Sequence, residues 1–258
     1  MSKESMINIK NISKYYYSKK NKIKIFSSLN ININKGESIS IIGPNGCGKT
    51  TLLNIISKID KSYQGKLEIK GNSSSAYMFQ KDLLIPWRNI LHNVTIGLEV
   101  QSHNNEENNI KIKKLLKDFH LLSRIEDFPD ALSGGERQKV AFIRTIILDT
   151  DILLMDEPFS AIDFNSKIKM YQWFLNYIKQ GNKTTLIVTH DIEEAILLSD
   201  RVIILGNKTD DIIYNIKIDI DKSGVKYNPI RIKQDKNFSI YLAEIWNKLE
   251  KYKKDKDE

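Results

Sequence analysis

Ser38-Ile39-Ser40-Ile41-Ile42-Gly43-Pro44-Asn45-Gly46-Cys47-Gly48-Lys49-Thr50-Thr51-Leu52-Leu53 decides the fold. A short apolar run, Ser38 to Gly43, enters a glycine-rich turn, and helical character begins at Lys49. The turn has the spacing G-x-x-x-x-G-K-[ST], in the strand-to-helix setting that its chemistry requires. Glycines let the backbone pass close to phosphates, while successive N–H groups and the helix N-terminus face the anion. Lys49 can reach the β- and γ-phosphates of a nucleotide, the Thr50 hydroxyl can ligate Mg²⁺, and Thr51 is placed to help with the α-phosphate. A chance glycine-rich turn is disfavoured by the elements on either side.

A second run, Ile152-Leu-Leu-Met-Asp156-Glu157-Pro158, is a buried type of strand that ends in two acids. Downstream of a phosphate loop, Asp156 is expected to hold the Mg²⁺ shell and Glu157 to polarise the attacking water as general base. Together the two motifs describe a P-loop NTPase that uses ATP and Mg²⁺. A third segment, Leu132-Ser133-Gly134-Gly135-Glu136-Arg137-Gln138, opens a helix with two glycines. Their exposed N–H groups suit an anion, and Ser133 can act either as N-cap or as anion donor. Val140, Ile143 and Ile147 are the expected buried stripe of that helix.

This third segment resembles the signature of the ABC ATPase family, with Glu136 where Gln is common. The remaining elements follow in the family's order: Gln80 after Ala76-Tyr-Met-Phe, Ser160-Ala-Ile-Asp163 as the D-loop, and His190 closing Thr185-Leu-Ile-Val-Thr-His. The resemblance implies that Gln80 touches metal and water and that His190 contacts the γ-phosphate. It also implies that an aromatic near the start stacks on adenine, with Tyr16 chosen over its neighbours Tyr15 and Tyr17. A head-to-tail homodimer is implied too, each ATP lying between one phosphate loop and Ser133, Gly134 and Gly135 of the other subunit. A finer similarity lies in Tyr77-Met-Phe-Gln80-Lys-Asp-Leu-Leu-Ile-Pro86-Trp87-Arg88-Asn89, then Asn93-Val and Gly97-Leu-Glu. This stretch is similar to the ATPase subunits of the nitrate, sulfonate, taurine and thiamine-precursor importers. The implied partners are two membrane permease subunits and, through them, an extracytoplasmic substrate-binding protein, with the chain on the cytoplasmic face of the membrane. Trp87 is expected either to anchor the permease contact or to pack within a helical subdomain.

Working outward, Asp151-Ile-Leu-Leu-Met155, Thr185 to His190 and Arg201-Val-Ile-Ile-Leu205 are nearly continuous apolar runs, as strands buried on both faces require. Helical spacing between them (Phe164, Ile168, Tyr171, Leu175, Ile178, with Gly181 as a stop) predicts βαβ units. Met6-Ile-Asn-Ile-Lys10, Lys22-Ile-Lys-Ile-Phe26 and Leu29-Asn-Ile-Asn-Ile33 alternate as separate short half-exposed strands. The predicted fold is an α/β ABC ATPase domain spanning 1–258. Residues 1–87 and 131–258 form a mostly parallel core with an antiparallel β subdomain. Residues 88–130 form an inserted helical subdomain with Ile112, Leu115, Leu116 and Phe119 as its apolar stripe and the signature at its end. Gly71-Asn-Ser-Ser-Ser-Ala76 reads as a trimmed hairpin, and the tail after Lys248 as a solvated helix end with no regulatory domain beyond it.

Apolar content of 41% and charged content of 28% exclude disorder and fit a globular domain. No apolar run reaches the ~18 residues of a membrane span, and the N-terminus lacks the apolar core of a secretory signal. The net charge of +8 comes from scattered lysines in a chain rich in Lys, Asn and Ile, so nucleic acid is not the expected partner. A soluble ABC ATPase acting on nucleic acid or ribosomes is the alternative, but the chain has neither heptads nor cysteine pairs. An exporter subunit fits the Leu84-Ile-Pro-Trp-Arg-Asn segment less well. The single cysteine, Cys47, excludes an internal disulfide. Its place beside Lys49 and a helix N-terminus predicts a reactive thiol that bound ATP protects; the alternative is an inert small residue.

Overall fold

The computed structural model describes residues 4–17, 22–102, 105–206, 212–222 and 227–257, with side chains to 252. The apolar strands assemble into two sheets. A three-stranded antiparallel sheet has the order β2 (Lys22–Asn34), β1 (Ser5–Tyr17), β4 (Gln64–Ile69). The segments read as separate short strands are thus two continuous strands of 13 residues each. Continuity survives the broken alternation because β-bulges absorb it. The β1–β2 register shifts between Ile9 and Ile12, and Asn11 takes a φ of 52° there. Burial consequently runs Ile7, Ile9 and then Ile12, Lys14, changing from odd to even positions.

The larger sheet has the order β5 (Ser75–Met78), β6 (Ile152–Asp156), β7 (Thr184–Val188), β3 (Ser38–Ile42), β8 (Arg201–Leu205), β9 (Ile212–Lys217). All of its pairings are parallel except the antiparallel edge strand β9. β3, β6 and β7 are buried along their whole length, which explains their uninterrupted apolar character. The trimmed hairpin is not a hairpin. β4 and β5 belong to different sheets, and residues 70–74 are the link between them.

Helix α1 (Lys49–Ile56) follows β3 directly. Between Met78 and Ile152 the described residues contain helices and single 3₁₀ turns but no strand: α2 (Ile90–Val100), α3 (Glu106–Asp118) and α4 (Gly134–Ile146). After β6 come α5 (Phe164–Gln180), α6 (Ile192–Leu198), α7 (Pro229–Lys233) and α8 (Lys236–Asp257). No helix among the described residues is long and apolar enough to cross a membrane.

Phe142 of α4 joins the helical segment to the sheet. Its ring lies 5.8 Å from Phe119, 5.7 Å from Phe159, 6.0 Å from Trp173 and 5.9 Å from Phe174, mostly edge-on. The α5 stripe departs from its predicted form. Met170, Tyr171, Phe174, Leu175 and Ile178 are buried, whereas Phe164 is exposed because the first turn projects beyond the core. Gly181 caps α5 at a φ of −82° that any residue adopts, and its value is space: a Cβ would lie 2.8 Å from Lys183 Cε and 3.1 Å from Tyr177 O. The tail is not wholly solvated either, since Tyr252 is buried.

Of the two readings of Cys47, the structure favours the inert one. Its side chain points inward and joins the core that contains Ile41, Leu52 and Leu53. Burial raises the thiol pKa and outweighs the opposing pull of Lys49. Iodoacetamide should therefore label Cys47 far more slowly in the native protein than in denaturant, with or without ATP. Phe142→Ala should destabilise the fold by about 3–5 kcal/mol, the usual cost of emptying an aromatic core site, measured by urea unfolding.

Candidate functional site

The phosphate loop is a consequence of strand β3 ending at Ile42 against β8. Gly43 has a φ of 152°, and a Cβ there would meet Leu205 O at 2.5 Å. Gly48, the residue preceding α1, has a φ of 102°, and a Cβ would fall 2.6 Å from Ile25 and 2.7 Å from Phe26. Only glycine allows this turn to form in this place. Lys49 Nζ folds back across the loop, donating to Gly43 O at 2.9 Å and Pro44 O at 3.0 Å. Thr50 Oγ1 donates to Asp156 Oδ2 at 2.6 Å.

A cavity of about 350 Å³ is bordered by Asn45, Gly46, Gly48, Lys49, Thr50, Thr51, Gln80, Asp156 and Glu157. Asp156 closes β6 and is buried. Burial pushes its carboxyl above the ordinary range, opposed by the Thr50 hydrogen bond and reinforced by neighbouring Glu157. The oxygen donors suit Mg²⁺, which is held by one or two carboxylates and hydroxyls together with substrate phosphates rather than by a dense cage.

Glu157 occupies the left-handed backbone region at a φ of 51°. Such a conformation costs on the order of 1–3 kcal/mol and persists only where its surroundings hold it. Here Glu157 N donates to Val188 O at 2.8 Å, and Glu157 O accepts from Gln138 Nε2 at 2.8 Å and Ser160 Oγ at 3.1 Å. His190 Nδ1 lies 3.3 Å from Glu157 Oε1, with the ring otherwise largely exposed. Gln138 is the residue that sequence reasoning missed as a site component. Besides holding Glu157, its Oε1 accepts from Ala161 N at 2.7 Å, so one buried amide ties the signature helix to the segments after both acids. The only sign in the sequence was a polar residue among the apolar positions of α4.

Ser133, Gly134 and Gly135 do not line the cavity around Lys49. Gly134 instead borders a groove with Gln80–Leu83, Arg137, Gln138, Ser160 and Ala161. Ser133 acts as N-cap in a reciprocal capping box: its hydroxyl accepts from Glu136 N at 3.3 Å, and Ser133 N donates to Glu136 Oε2 at 2.8 Å. Arg124 Nη1 donates to Glu136 Oε1 at 2.6 Å, which neutralises the acid standing at a position where the family often has Gln. Asp163 caps α5 by accepting from Ser166 N at 3.0 Å. Tyr16 reaches towards α1, its hydroxyl 3.4 Å from Thr51 Oγ1, while Tyr17 is mostly exposed.

Trp87 is 77% exposed and so does not pack within the helical segment. The loop that displays it is pinned from below by Asn93, which is fully buried. Asn93 Oδ1 accepts from Ile85 N at 2.7 Å, and Nδ2 donates to Arg88 O at 2.8 Å. Arg144 adds hydrogen bonds to Asp82 O and Leu83 O.

Residues 26–160 match the ABC transporter family model. The chain is 34% identical to YtlC, an uncharacterised ABC transporter ATP-binding protein of Bacillus subtilis, over 97% of this chain and 98% of that protein. It is 40% identical to SsuB 1 of Rhodococcus jostii, named an aliphatic sulfonates import ATP-binding protein, over 71% of this chain and 74% of the relative. It is 38% identical to ThiZ of Halalkalibacterium halodurans, named a formylaminopyrimidine import ATP-binding protein, over the same shares. Among solved structures, the dimeric post-hydrolysis state of the ATP-binding cassette MJ0796, bound to ADP and Pi, superposes with a TM-score of 0.75. That cassette is 30% identical and is matched over 99% of its length, covering 83% of this chain. With the phosphate loop, the paired acids and the signature helix arranged as above, the chain belongs to the ABC transporter ATP-binding family and is an ABC ATPase.

Proposed function

We propose that the chain is the ATP-hydrolysing subunit of an importer for a small solute of the sulfonate, taurine, nitrate or thiamine-precursor type. The observation that carries this reading is the division of the site. Lys49, Thr50, Gln80, Asp156 and Glu157 share one cavity, which the signature residues do not line. A half-site of this kind is completed by a second copy, with Ser133, Gly134 and Gly135 of the partner clamping the phosphates through a helix N-terminus. The dimeric cassette among the structural neighbours supports that assembly.

In the proposed mechanism Lys49 leaves the loop carbonyls to pair with the β- and γ-phosphates, and the glycine-rich backbone binds the remaining charge. Tyr16 stacks on the adenine and Thr51 faces the α-phosphate. Thr50 and Asp156 would hold Mg²⁺, with Gln80 alongside; the metal when bound would neutralise charge on the phosphates. Glu157 takes the proton of the attacking water, and His190, whose Nδ1 lies 3.3 Å from Glu157 Oε1, contacts the γ-phosphate. Asp163, in the D-loop, lies at the dimer interface. The exposed Leu83–Trp87 loop beside Gln80 receives the coupling element of each of two permease subunits, with Trp87 as a large amphipathic anchor. Solute enters that assembly through an extracytoplasmic binding protein, so the ATPase sits peripherally on the cytoplasmic face. SsuB and ThiZ relatives support the solute class by their names.

Glu157→Gln should retain ATP binding and slow hydrolysis by roughly 10²-fold or more, as loss of a general base does; single-turnover kinetics would read both steps. The whole reading is tested by gentle solubilisation of membranes and purification of the tagged chain. Co-purification of a permease and a binding protein is the expected result, and the ligand on the binding protein names the solute. Recovery of nucleic acid or ribosomes without a membrane protein would overturn the importer and favour a soluble ABC ATPase.

A further inference from the structure

Lys14 is a buried cation outside the phosphate site. It is only 3% exposed on β1, the central strand of the antiparallel sheet. Its ammonium donates to Asp60 Oδ1 at 2.9 Å and to Ser62 O at 2.8 Å, and lies 2.6 Å from Asp60 Oδ2. The same ammonium is 4.7 Å from the centroid of the Tyr16 ring. The Tyr16 hydroxyl makes long contacts with Asp60 Oδ2 at 3.5 Å and Thr51 Oγ1 at 3.4 Å. Burial alone would raise the Asp60 pKa, but the hydrogen bonds from Lys14, Ser62 and Tyr16 hold it below the ordinary range, so it carries its charge.

A buried ion pair is a poor device for stability as such, because desolvation offsets most of its attraction and an apolar pair serves as well. This pair does something an apolar one does not: it fixes a charge over an aromatic face. Asp60 and Ser62 follow α1, and Asp60 N donates to Asn54 O at 3.0 Å, so the pair also ties β1 to the far end of the phosphate-loop helix.

We propose that Lys14 and Asp60 form a charged cradle that positions the Tyr16 ring as a platform for the base of the nucleotide. This rests on the reading that Tyr16 stacks on adenine. The cation on one side draws on the π-density of the ring, and the other side is left complementary to an electron-rich purine. The ring is thereby fixed before the nucleotide arrives, which lowers the ordering cost of binding. Lys14 and Asp60 are positioning residues and touch neither the phosphates nor the metal.

The test is equilibrium binding of ATP and, separately, of inorganic tripolyphosphate to the full chain in Mg²⁺. Tripolyphosphate has no base, so it reads the phosphate loop alone. Lys14→Met by itself leaves the partly buried Asp60 without its cation, so the neutral pair Lys14→Met with Asp60→Asn is the main variant, and native folding is checked by circular dichroism. Tyr16→Ala should weaken ATP by about tenfold or more, the scale of a lost base–aromatic stack, and leave tripolyphosphate unchanged. The neutral pair should weaken ATP by about three- to tenfold, the scale of a cation–π contact, again with tripolyphosphate unchanged. Added to Tyr16→Ala, the neutral pair should cost nothing further, because coupled residues are not additive. Unchanged ATP affinity in Tyr16→Ala would remove Tyr16 as the platform. A loss in Tyr16→Ala with none in the neutral pair would overturn the cradle alone. Equal loss of ATP and tripolyphosphate in the neutral pair would also overturn it, by giving the pair a purely structural role.

Discussion

One line of parallel pairing across the sheet carries the rest of the structure. Val188 of β7 is paired with Ile41 of β3 on one side and with Asp156 of β6 on the other. Parallel strands end at the same edge, so this register brings the start of the phosphate loop, the acidic pair and His190 to one side of the molecule. The hydrogen bond from Glu157 N to Val188 O extends the same line by one residue beyond β6 and helps hold Glu157 in its left-handed conformation. A shift of one residue would turn Asp156 away from Thr50 and reverse every apolar side chain of a strand buried on both faces.

Around this edge the structure uses polar contacts to connect parts of the chain that are far apart in sequence. Gln138 bonds to both the Glu157 carbonyl and Ala161 N–H, so the signature helix and the loop after the acids form one unit. Phe142, one turn further along the same helix, packs on Phe159 of that loop and on Phe174. Helix α4 is thus in direct contact with the backbone that aims Glu157. The loop carrying Trp87 is joined to the same helix through Arg144 and Arg137, the latter binding Asp82 at 3.0 Å. A continuous set of contacts thus runs from the exposed Trp87 loop to the acids.

The phosphate loop, Asp156, Glu157, Gln80 and His190 were legible because each is a local pattern: a strand type, a turn chemistry and a polar residue at the strand's end. Local patterns failed where the relevant partner was distant. The β1 and β2 segments read as broken strands because bulges interrupt alternation without ending the strand. Phe164 kept the helical period of α5 but lies in a turn that reaches past the core. Cys47 stays open between a reactive and an inert thiol on sequence alone, because its neighbours Gly48 and Lys49 favour reactivity, whereas the apolar groups that bury it come from other elements.

The sequence by itself determined the fold family and the nucleotide chemistry, and it pointed to the candidate residues for that chemistry, because backbone conformation and side-chain chemistry in these motifs are set within a few residues. Tertiary structure decided direction. It turned Cys47 inward, exposed Trp87, kept the signature out of the lining of its own phosphate-loop cavity and put Lys14 over Tyr16. The last case shows the physical reason. A single extra residue at the bulge in β1 changes which side chains face the core, and its position depends on the register with β2, which no single strand specifies alone.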